Sequence, residues 1–166
     1  KKIDKIICST DDKRIIDLYR NYSKKLEFPY KRPSYLAQNK TSSESTIYHL
    51  LIHYEKKYNY LPKNFILLQP TSPLRKKTHI EQAITRYKKI DNLALVSVVQ
   101  NNNAYIVNKN FLSHSKFTYQ FNGAIYITKT KEFMKSKKVY YDKKTIFYEM
   151  DKKSSLDVDY EYQLVL

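Results

Sequence analysis

The sequence predicts an α/β fold, a three-layer sandwich in which helices cover both sides of a mostly parallel sheet. Predicted strands and helices alternate along the chain. The strand candidates are continuous apolar runs, such as "FILL" and "LALVSVV", which are typical of strands covered on both faces. Because no linker, repeat or low-complexity tract interrupts this alternation, residues 1–166 are expected to form a single domain.

The first elements follow from local signals. "KIICS" predicts a short buried strand, and "TDD" after it offers an N-cap for a short helix. The apolar face of that helix would consist of Ile15, Ile16 and Tyr19. The proline-containing stretch "FPYKRPSYLAQNK" is expected to be irregular.

The clearest predicted helix begins where Thr41 and Glu44 have the spacing of a capping box. Its apolar residues recur at helical intervals, namely Ile47, Leu50, Leu51, Tyr54 and Tyr58. The strand "FILL" follows, and then a second capping-box pair, Thr78 and Glu81, opens a helix. The apolar face of this second helix is Ile80, Ala83, Ile84 and Tyr87.

The last part of the chain is less regular. "LALVSVV", "GAIYIT" and "TIFYEM" predict strands, and "KEFMKS" predicts a short helix between the last two. "DYEYQLVL" is expected to begin a final helix. The stretch "QNNNAYIVNKNFLSHSKFTYQ" gives no clear pattern.

Composition excludes several kinds of site. The single cysteine, Cys8, lies in an apolar run, so we expect a buried, inert thiol and no disulfide framework. A single glycine excludes the glycine-rich phosphate loops of nucleotide-binding proteins. His49 and His53 have zinc-like spacing, but no third ligand accompanies them, so a half-exposed helix turn is favoured.

The net charge of +15 attracts anions in general. The lysines are scattered and no stacking motif appears, so we do not expect nucleic acid as a partner. No apolar run approaches the roughly 20 residues that span a bilayer. A membrane partner is therefore not expected. We expect a cytoplasmic location.

The loop from Gln69 to Arg75, "QPTSPLR", is the strongest candidate site. It follows the end of a predicted strand, where open α/β sheets bind ligands. Its two prolines restrict the backbone, which lowers the entropy lost when a polar ligand binds. The alternative is a loop that only caps the next helix. The polar groups on offer are those of Gln69, Thr71, Ser72 and Arg75.

Five segments in order resemble the acylneuraminate cytidylyltransferases, also called CMP-sialic acid synthetases. They are "ICSTDDKRI", "KRPSYLAQNKTSSESTIYHLL", "LLQPTSPLR", "NGAIYI" and "SSLDVDYE". The resemblance implies a fold of the nucleotide-diphosphosugar-transferase type. It also implies transfer of CMP from CTP to a nonulosonic, sialic-acid-like sugar acid, with release of pyrophosphate, for surface glycan biosynthesis. Mg²⁺ is the implied cofactor.

The resemblance also implies roles for individual residues. Asp157 and Asp159 match the catalytic, metal-binding pair of the family, and their i, i+2 spacing places both carboxylates on one side of an extended segment. The nucleotide-binding residues would be Arg32, Thr41 and Ser43. The substrate-binding residues would be Gln69, Thr71, Ser72, Arg75, Asn122 and Gly123.

Plain structural roles stay open for the same residues. Asp157 and Asp159 also suit a solvated acidic pair, Arg32 a surface arginine, and Asn122 a turn residue before a strand. The serine and threonine near residue 42 also suit helix caps.

The chain departs from the family pattern in three places. The first strand and the basic, glycine-containing phosphate loop have no counterpart, so an N-terminally truncated chain is expected. A short insert before Asn122 weakens the expectation of a homodimer, and Gln163 stands where the family has a third aspartate. One alternative is a non-catalytic remnant with at most weak nucleotide binding, and a less favoured one is a basic nucleic-acid-binding domain.

Overall fold

The computed structural model describes the backbone of residues 3–108, 111–161 and 163, and their side chains except those of 102–117. These residues form two compact units. The first unit comprises Lys1–Pro62 with Met134–Lys137, and the second comprises Lys63–Phe133 with Lys138–Leu166. The prediction of a single domain stays a prediction.

The first unit contains a small parallel sheet and two helices. Strand β1 (Ile6–Ile7) pairs in parallel with β2 (Leu26–Glu27). Helix α1 (Lys13–Tyr19) lies between them in sequence, and Asp12 caps it as predicted, since its carboxylate accepts the Arg14 N–H at 2.8 Å. None of the residues of α1 is buried, and Ile15 and Tyr19 of its predicted apolar face are exposed.

Helix α2 (Ser43–Tyr58) follows a short 3₁₀ turn (Ser34–Leu36). The predicted capping box at Thr41 does not form. Ser42 is the N-cap instead, and its hydroxyl accepts the Ser45 N–H at 3.2 Å. The helix ends at Asn59, whose positive φ of 48° is one that asparagine tolerates. The buried residues of α2 are Ile47, Leu51 and Tyr54, three of the five predicted.

The second unit is built on a four-stranded sheet in the order β3-β5-β4-β6. Its elements are β3 (Asn64–Leu67), α3 (Lys77–Lys89), β4 (Ala94–Asn108), β5 (Phe111–Lys129) and β6 (Thr145–Met150). Helix α4 (Thr130–Ser136) and two 3₁₀ turns (Asp142–Lys144 and Lys153–Ser155) complete the list of its elements, although α4 ends in the first unit.

Strand direction in this sheet is mixed. β5 is antiparallel to both β3 and β4, whereas β4 and β6 are parallel, so three of the four strands run in one direction. The predicted α/β class, with most strands in one direction, is confirmed. The antiparallel course of β5 was not predicted, because the hairpin between β4 and β5 lies in the stretch without a clear pattern.

The core of the second unit lies in the middle of the sheet. Leu95, Val96 and Ile125 are completely buried there, and burial of each such side chain stabilises the fold by about 1.5–3 kcal/mol. From α3 the buried residues are Ala83, Ile84 and Tyr87.

Two further sequence predictions concern helix ends. The prediction of a second capping box at Thr78 is wrong, because α3 begins at Lys77 and Thr78 lies inside the helix. The Lys76 N–H donates to His79 Nδ1 at 3.2 Å instead. The predicted final helix includes residues 162 and 164–166, which lie outside the described residues. None of the helices in the described part of the chain combines the length and apolarity that a membrane crossing needs.

Candidate functional site

The centre of the candidate site is a bulge in β5. Val98 of β4 pairs with Phe121, and Val96 pairs with Tyr126, so residues 122–125 of β5 face Ser97 alone. We call residues 122–125 the glycine bulge. Gly123 has a φ of +72° in it, which glycine adopts without steric cost.

Two side chains accept hydrogen bonds from backbone N–H groups of the glycine bulge. The hydroxyl of Ser97 accepts the Ile125 N–H at 2.7 Å and donates to Asn122 Oδ1 at 2.6 Å. The same Oδ1 accepts the Ala124 N–H at 3.2 Å, and Asn122 Nδ2 donates to Ser155 Oγ at 2.8 Å. The carboxamide of Asn122 is therefore bonded to protein atoms, and its predicted contact with substrate stays a prediction.

The proline-framed loop (Gln69–Arg75) is fixed against the bulge by Arg75. One guanidinium nitrogen, Nη1, donates to the Gln69 carbonyl at 2.9 Å and to the Ala124 carbonyl at 2.8 Å. Burial lowers the pKa of Arg75, but an arginine stays charged at neutral pH. In the same loop Ser72 is only 2% exposed, and its hydroxyl has no partner among the described residues.

The aspartate segment (residues 155–159) lies against the same loop. The Val158 N–H donates to the Thr71 carbonyl at 2.8 Å. Asp157 is half-buried, and its Oδ1 is buried without a partner among the described residues. Because an unpaired carboxylate oxygen is costly to bury, this atom has the character of a ligand-binding group.

Gly123 brings the loop and the aspartate segment together. A Cβ atom added at Gly123 would lie 2.7 Å from Gln69 Oε1 and 3.4 Å from Asp157 Oδ2. The structure thus places three sequence-predicted site residues side by side, and only glycine leaves room between the other two. Asp159 is exposed, and its N–H donates to Gln163 Oε1 at 2.7 Å.

Two carboxylates alone can serve a magnesium site. Within the described residues, no group of three or more His, Cys, Asp or Glu side chains is arranged to hold a metal ion. Mg²⁺ commonly binds one or two carboxylates and completes its shell with water and substrate phosphates. The oxygen donors of Asp157 and Asp159 fit that chemistry, and the unpartnered Asp157 Oδ1 supplies a free position.

The first unit contains the residues predicted to bind the nucleotide. The Arg32 N–H donates to the Thr10 carbonyl at 2.8 Å, and its Nη2 lies 3.5 Å from Asp11 Oδ1. Arg32 Nε is buried and has no partner in the described part of the chain. Ser43 is the first residue of α2, and the Thr41 hydroxyl donates to the Tyr35 carbonyl at 3.0 Å.

The surroundings of three other side chains, Cys8, His49 and His53, suit structural roles. Burial raises the pKa of the Cys8 thiol, with Arg32 acting in the opposite direction, and this favours the neutral, inert thiol. His49 Nδ1 lies 2.8 Å from the Tyr30 hydroxyl, and His53 packs edge-on against the ring of the same tyrosine. Burial raises the pKa of Tyr30 to about 12.

Sequence reasoning missed Ser97 and Ser155. Ser97 is the one polar residue in the run "ALVSVV", and a polar residue buried in an apolar strand needs hydrogen-bond partners. A polar residue within an apolar run is the sequence signal by which Ser97 could have been identified. Ser155 lies inside the recognised segment "SSLDVDYE", but it has no distinctive spacing of its own and no role was predicted for it.

Comparison with known proteins identifies relatives along almost the whole chain. No family model matches the sequence. The N-acylneuraminate cytidylyltransferase of Escherichia coli O18:K1:H7 (strain RS218 / NMEC) is 31% identical over 173 aligned positions, which cover 94% of this chain. The chain is a homologue of the N-acylneuraminate cytidylyltransferases. It spans 39% of the length of the E. coli cytidylyltransferase.

A second cytidylyltransferase agrees with this relationship, and a solved structure has a similar fold. The N-acylneuraminate cytidylyltransferase of Streptococcus agalactiae serotype III (strain NEM316) is 29% identical over 136 positions, covering 72% of this chain and 32% of the relative. The fold is similar to that of the 4-diphosphocytidyl-2C-methyl-D-erythritol synthase of Anaerococcus prevotii DSM 20548, with a TM-score of 0.73. That alignment covers 99% of this chain and 77% of the other at 15% identity, so it supports the fold alone.

Proposed function

We propose that this chain contributes the reaction of an N-acylneuraminate cytidylyltransferase, the transfer of CMP from CTP to a nonulosonic sugar acid. In this reaction a sugar hydroxyl oxygen bonds to the α-phosphorus, the bond to the β-phosphate oxygen breaks, and the hydroxyl proton is lost. Pyrophosphate leaves. The observation that carries the proposal is the position of Asp157, whose Oδ1 is buried without a partner among the described residues and whose Oδ2 lies beside Gly123.

Asp157 and Asp159 are the proposed magnesium ligands. Their hard oxygen donors suit Mg²⁺, which would offset the negative charge on the α-phosphate and the departing pyrophosphate. Asp157 Oδ1 is desolvated without a partner in the described part of the chain, and a bound cation would remove this cost. Asp159 is exposed, and its carboxylate is therefore accessible to solvent and substrate.

In the first unit, Arg32, Thr41 and Ser43 are the proposed nucleotide-binding residues. The buried Nε donor of Arg32 has no partner among the described residues, and it suits an acceptor group of the nucleotide. Ser43 occupies the first position of the 16-residue helix α2, where backbone N–H groups remain free for acceptors. Thr41 fixes the preceding loop through its bond to the Tyr35 carbonyl.

In the second unit, the proline-framed loop and the glycine bulge are the proposed sugar-acid site. Gln69 presents its carboxamide beside Gly123, and the buried hydroxyl of Ser72 has no partner within the residues that the structure describes. Thr71 and Arg75 hold the loop through backbone carbonyl contacts, and donors of Arg75 other than Nη1 would bind the substrate. Asn122 would contribute by shaping the bulge.

The biological setting is proposed on the same basis. A cytoplasmic enzyme that activates a sugar acid with CTP would supply surface glycan biosynthesis. CTP and the sugar acid are the proposed partners, and a homodimer is also proposed. Neither nucleic acid nor a membrane is part of this proposal.

The test is a turnover assay with CTP, Mg²⁺ and a panel of nonulosonic acids, in which mass spectrometry identifies the CMP-sugar and a coupled assay follows pyrophosphate. Gln69→Ala should raise KM for the sugar acid at least several-fold and leave KM for CTP unchanged. Gln120→Ala, which changes an exposed glutamine of β5, is the control. Retained CTP binding without a CMP-sugar from any acid would overturn the proposal and support a non-catalytic remnant.

A further inference from the structure

We propose that Ser97, Asn122 and Ser155 form a hydrogen-bond relay that positions the Asp157 carboxylate for its cation. This inference rests on the proposed metal-binding role of Asp157. It assigns a positioning role to three residues, and none of them touches the cation.

The relay begins in the buried centre of β4. Ser97 is completely buried between Val96 and Val98, which are themselves 0% and 1% exposed. A hydroxyl in such surroundings costs free energy unless it is hydrogen-bonded. Ser97 satisfies both its donor and one acceptor position inside the protein, through Asn122 Oδ1 and the Ile125 N–H. It therefore fixes the side chain of Asn122 from below the glycine bulge.

Asn122 transmits this arrangement across the site. Its Oδ1 accepts from Ser97 and from the Ala124 N–H, which leaves the Nδ2 end pointing to Ser155 at 2.8 Å. Asn122 is only 4% exposed, so water does not compete strongly for these bonds. The orientation of its carboxamide is thus determined by three protein partners.

Ser155 is the point at which the relay reaches the aspartate segment. It ends a 3₁₀ turn (Lys153–Ser155) and precedes Asp157 by two residues. On the other side of Asp157, the Val158 N–H is bonded to the Thr71 carbonyl. The aspartate is therefore held between two anchored neighbours.

Asp157 depends on these anchored neighbours because its own buried carboxylate oxygen has no hydrogen bond to a described residue. Oδ1 lacks any partner in the described part of the chain. Metal-binding side chains are usually oriented by hydrogen bonds to the ligand itself. Here the backbone on either side of Asp157 orients its carboxylate. Loss of the Ser155 anchor should therefore disturb cation binding more than it disturbs folding.

The unique glycine makes this testable without turnover. Gly123 is the only glycine of the chain, so protein labelled with ¹⁵N-glycine contains one labelled glycine amide, and that amide lies beside Asp157. Bound Mn²⁺, a paramagnetic substitute for Mg²⁺, would broaden this signal. We expect saturable broadening in the parent protein and about tenfold weaker Mn²⁺ affinity in Ser155→Ala, the lower end of the effect of outer partners of metal ligands.

Two further variants separate positioning from general damage. Ser155→Thr keeps a hydroxyl and should restore most of the affinity. Thr128→Val is the control. Thr128 is completely buried whereas Ser155 is half-buried, and the Thr128 hydroxyl donates to the Val139 carbonyl at 2.9 Å, away from the relay. Thr128→Val should lower the free energy of unfolding at least as much as Ser155→Ala and leave Mn²⁺ affinity unchanged.

The outcomes distinguish the relay from the proposed function. Mn²⁺ broadening in the parent with the same affinity in Ser155→Ala would overturn the relay alone. Equal losses of affinity in Ser155→Ala and Thr128→Val would also overturn it, because the effect would then be one of stability. Absence of broadening in the parent would overturn the metal assignment and the relay together.

Discussion

The backbone N–H of Val158 donates a hydrogen bond to the carbonyl oxygen of Thr71 at 2.8 Å. This bond joins the aspartate segment to the proline-framed loop, two parts of the chain that are far apart in sequence. Arg75 joins the same loop to the glycine bulge through the Ala124 carbonyl. The three segments that carry the predicted metal and substrate residues are therefore connected through hydrogen bonds to backbone carbonyls, and Asp157 Oδ1 is left without a partner among the described residues.

Gly123→Ala should damage the site and the fold together. The left-handed φ of +72° costs a residue with a Cβ atom about 1–2 kcal/mol. The new methyl group would also lie 2.7 Å from Gln69 Oε1 and displace that side chain. Urea denaturation should detect the loss of stability, and KM for the sugar acid should rise.

A second left-handed residue provides the control for this substitution. Asn59 has a φ of 48° at the end of α2, and Asn59→Gly should leave the free energy of unfolding unchanged or slightly higher. If Gly123→Ala unfolds at the same urea concentration as the parent, the described geometry of the glycine bulge is wrong.

Arg75→Met should loosen the proline-framed loop. The substitution removes the charged donor that serves both the Gln69 and the Ala124 carbonyl, and we expect unfolding to become easier by about 2 kcal/mol. Arg75→Lys should recover only part of this loss, because an ammonium does not reproduce the planar fork of a guanidinium. Arg86→Met, on the exposed surface of α3, should change stability little. Equal unfolding midpoints for the Arg75 and Arg86 variants would contradict this role.

Asp157→Asn should separate stability from function. Because Asp157 Oδ1 is buried without a partner among the described residues, replacement of this carboxylate should raise the free energy of unfolding by about 1 kcal/mol in the absence of metal. The same variant should lose cation binding and turnover. Differential scanning calorimetry with and without Mg²⁺ measures the stability and the cation binding. Asp142→Asn, at an exposed position, is the control. A lower stability of metal-free Asp157→Asn would argue for a purely structural aspartate.

Glu27 should make the stability of the first unit depend on acidic pH. The Tyr54 hydroxyl donates to the Glu27 carboxylate at 2.5 Å, and Lys5 lies 2.9 Å away, so the pKa of Glu27 is held below its usual value of 4.5. A depressed pKa in the folded state means that the stabilisation is complete above about pH 4.5 and is lost as the pH falls through the folded value.

The measurement is urea denaturation from pH 6 to pH 3. Glu27→Gln should flatten the decline in stability below pH 4.5, and Tyr54→Phe should flatten it in part because it removes the largest cause of the shift. An identical pH profile for the parent and Glu27→Gln would refute the pairing.

The fold was predictable where sequence patterns depend on local chemistry. Continuous apolar runs gave the strands β3 and β4, and the carboxylate of Asp12 gave the start of α1. The direction of β5 was not predictable, because polar and apolar residues do not alternate regularly over residues 101–118, which contain the end of β4 and the start of β5.

The site was predictable for residues that carry ligand chemistry and less so for those that support them. Gln69, Gly123 and Asp157 were identified from the motifs, and the structure places them together. Asn122 was predicted to help shape the substrate pocket, which stays a prediction, and the bonds of its carboxamide to Ser97 and Ser155 were not predicted. Such contacts join positions far apart in sequence, and no local pattern encodes them.

The central claim is that this chain contributes CMP transfer from CTP to a sugar acid. The most direct measurement is mass spectrometry of the products formed from CTP, Mg²⁺ and N-acetylneuraminate by the parent chain and by Asp157→Asn. The account predicts a CMP-sugar and pyrophosphate with the parent chain and neither product with the variant. Product formation by Asp157→Asn at the parent rate would contradict the account.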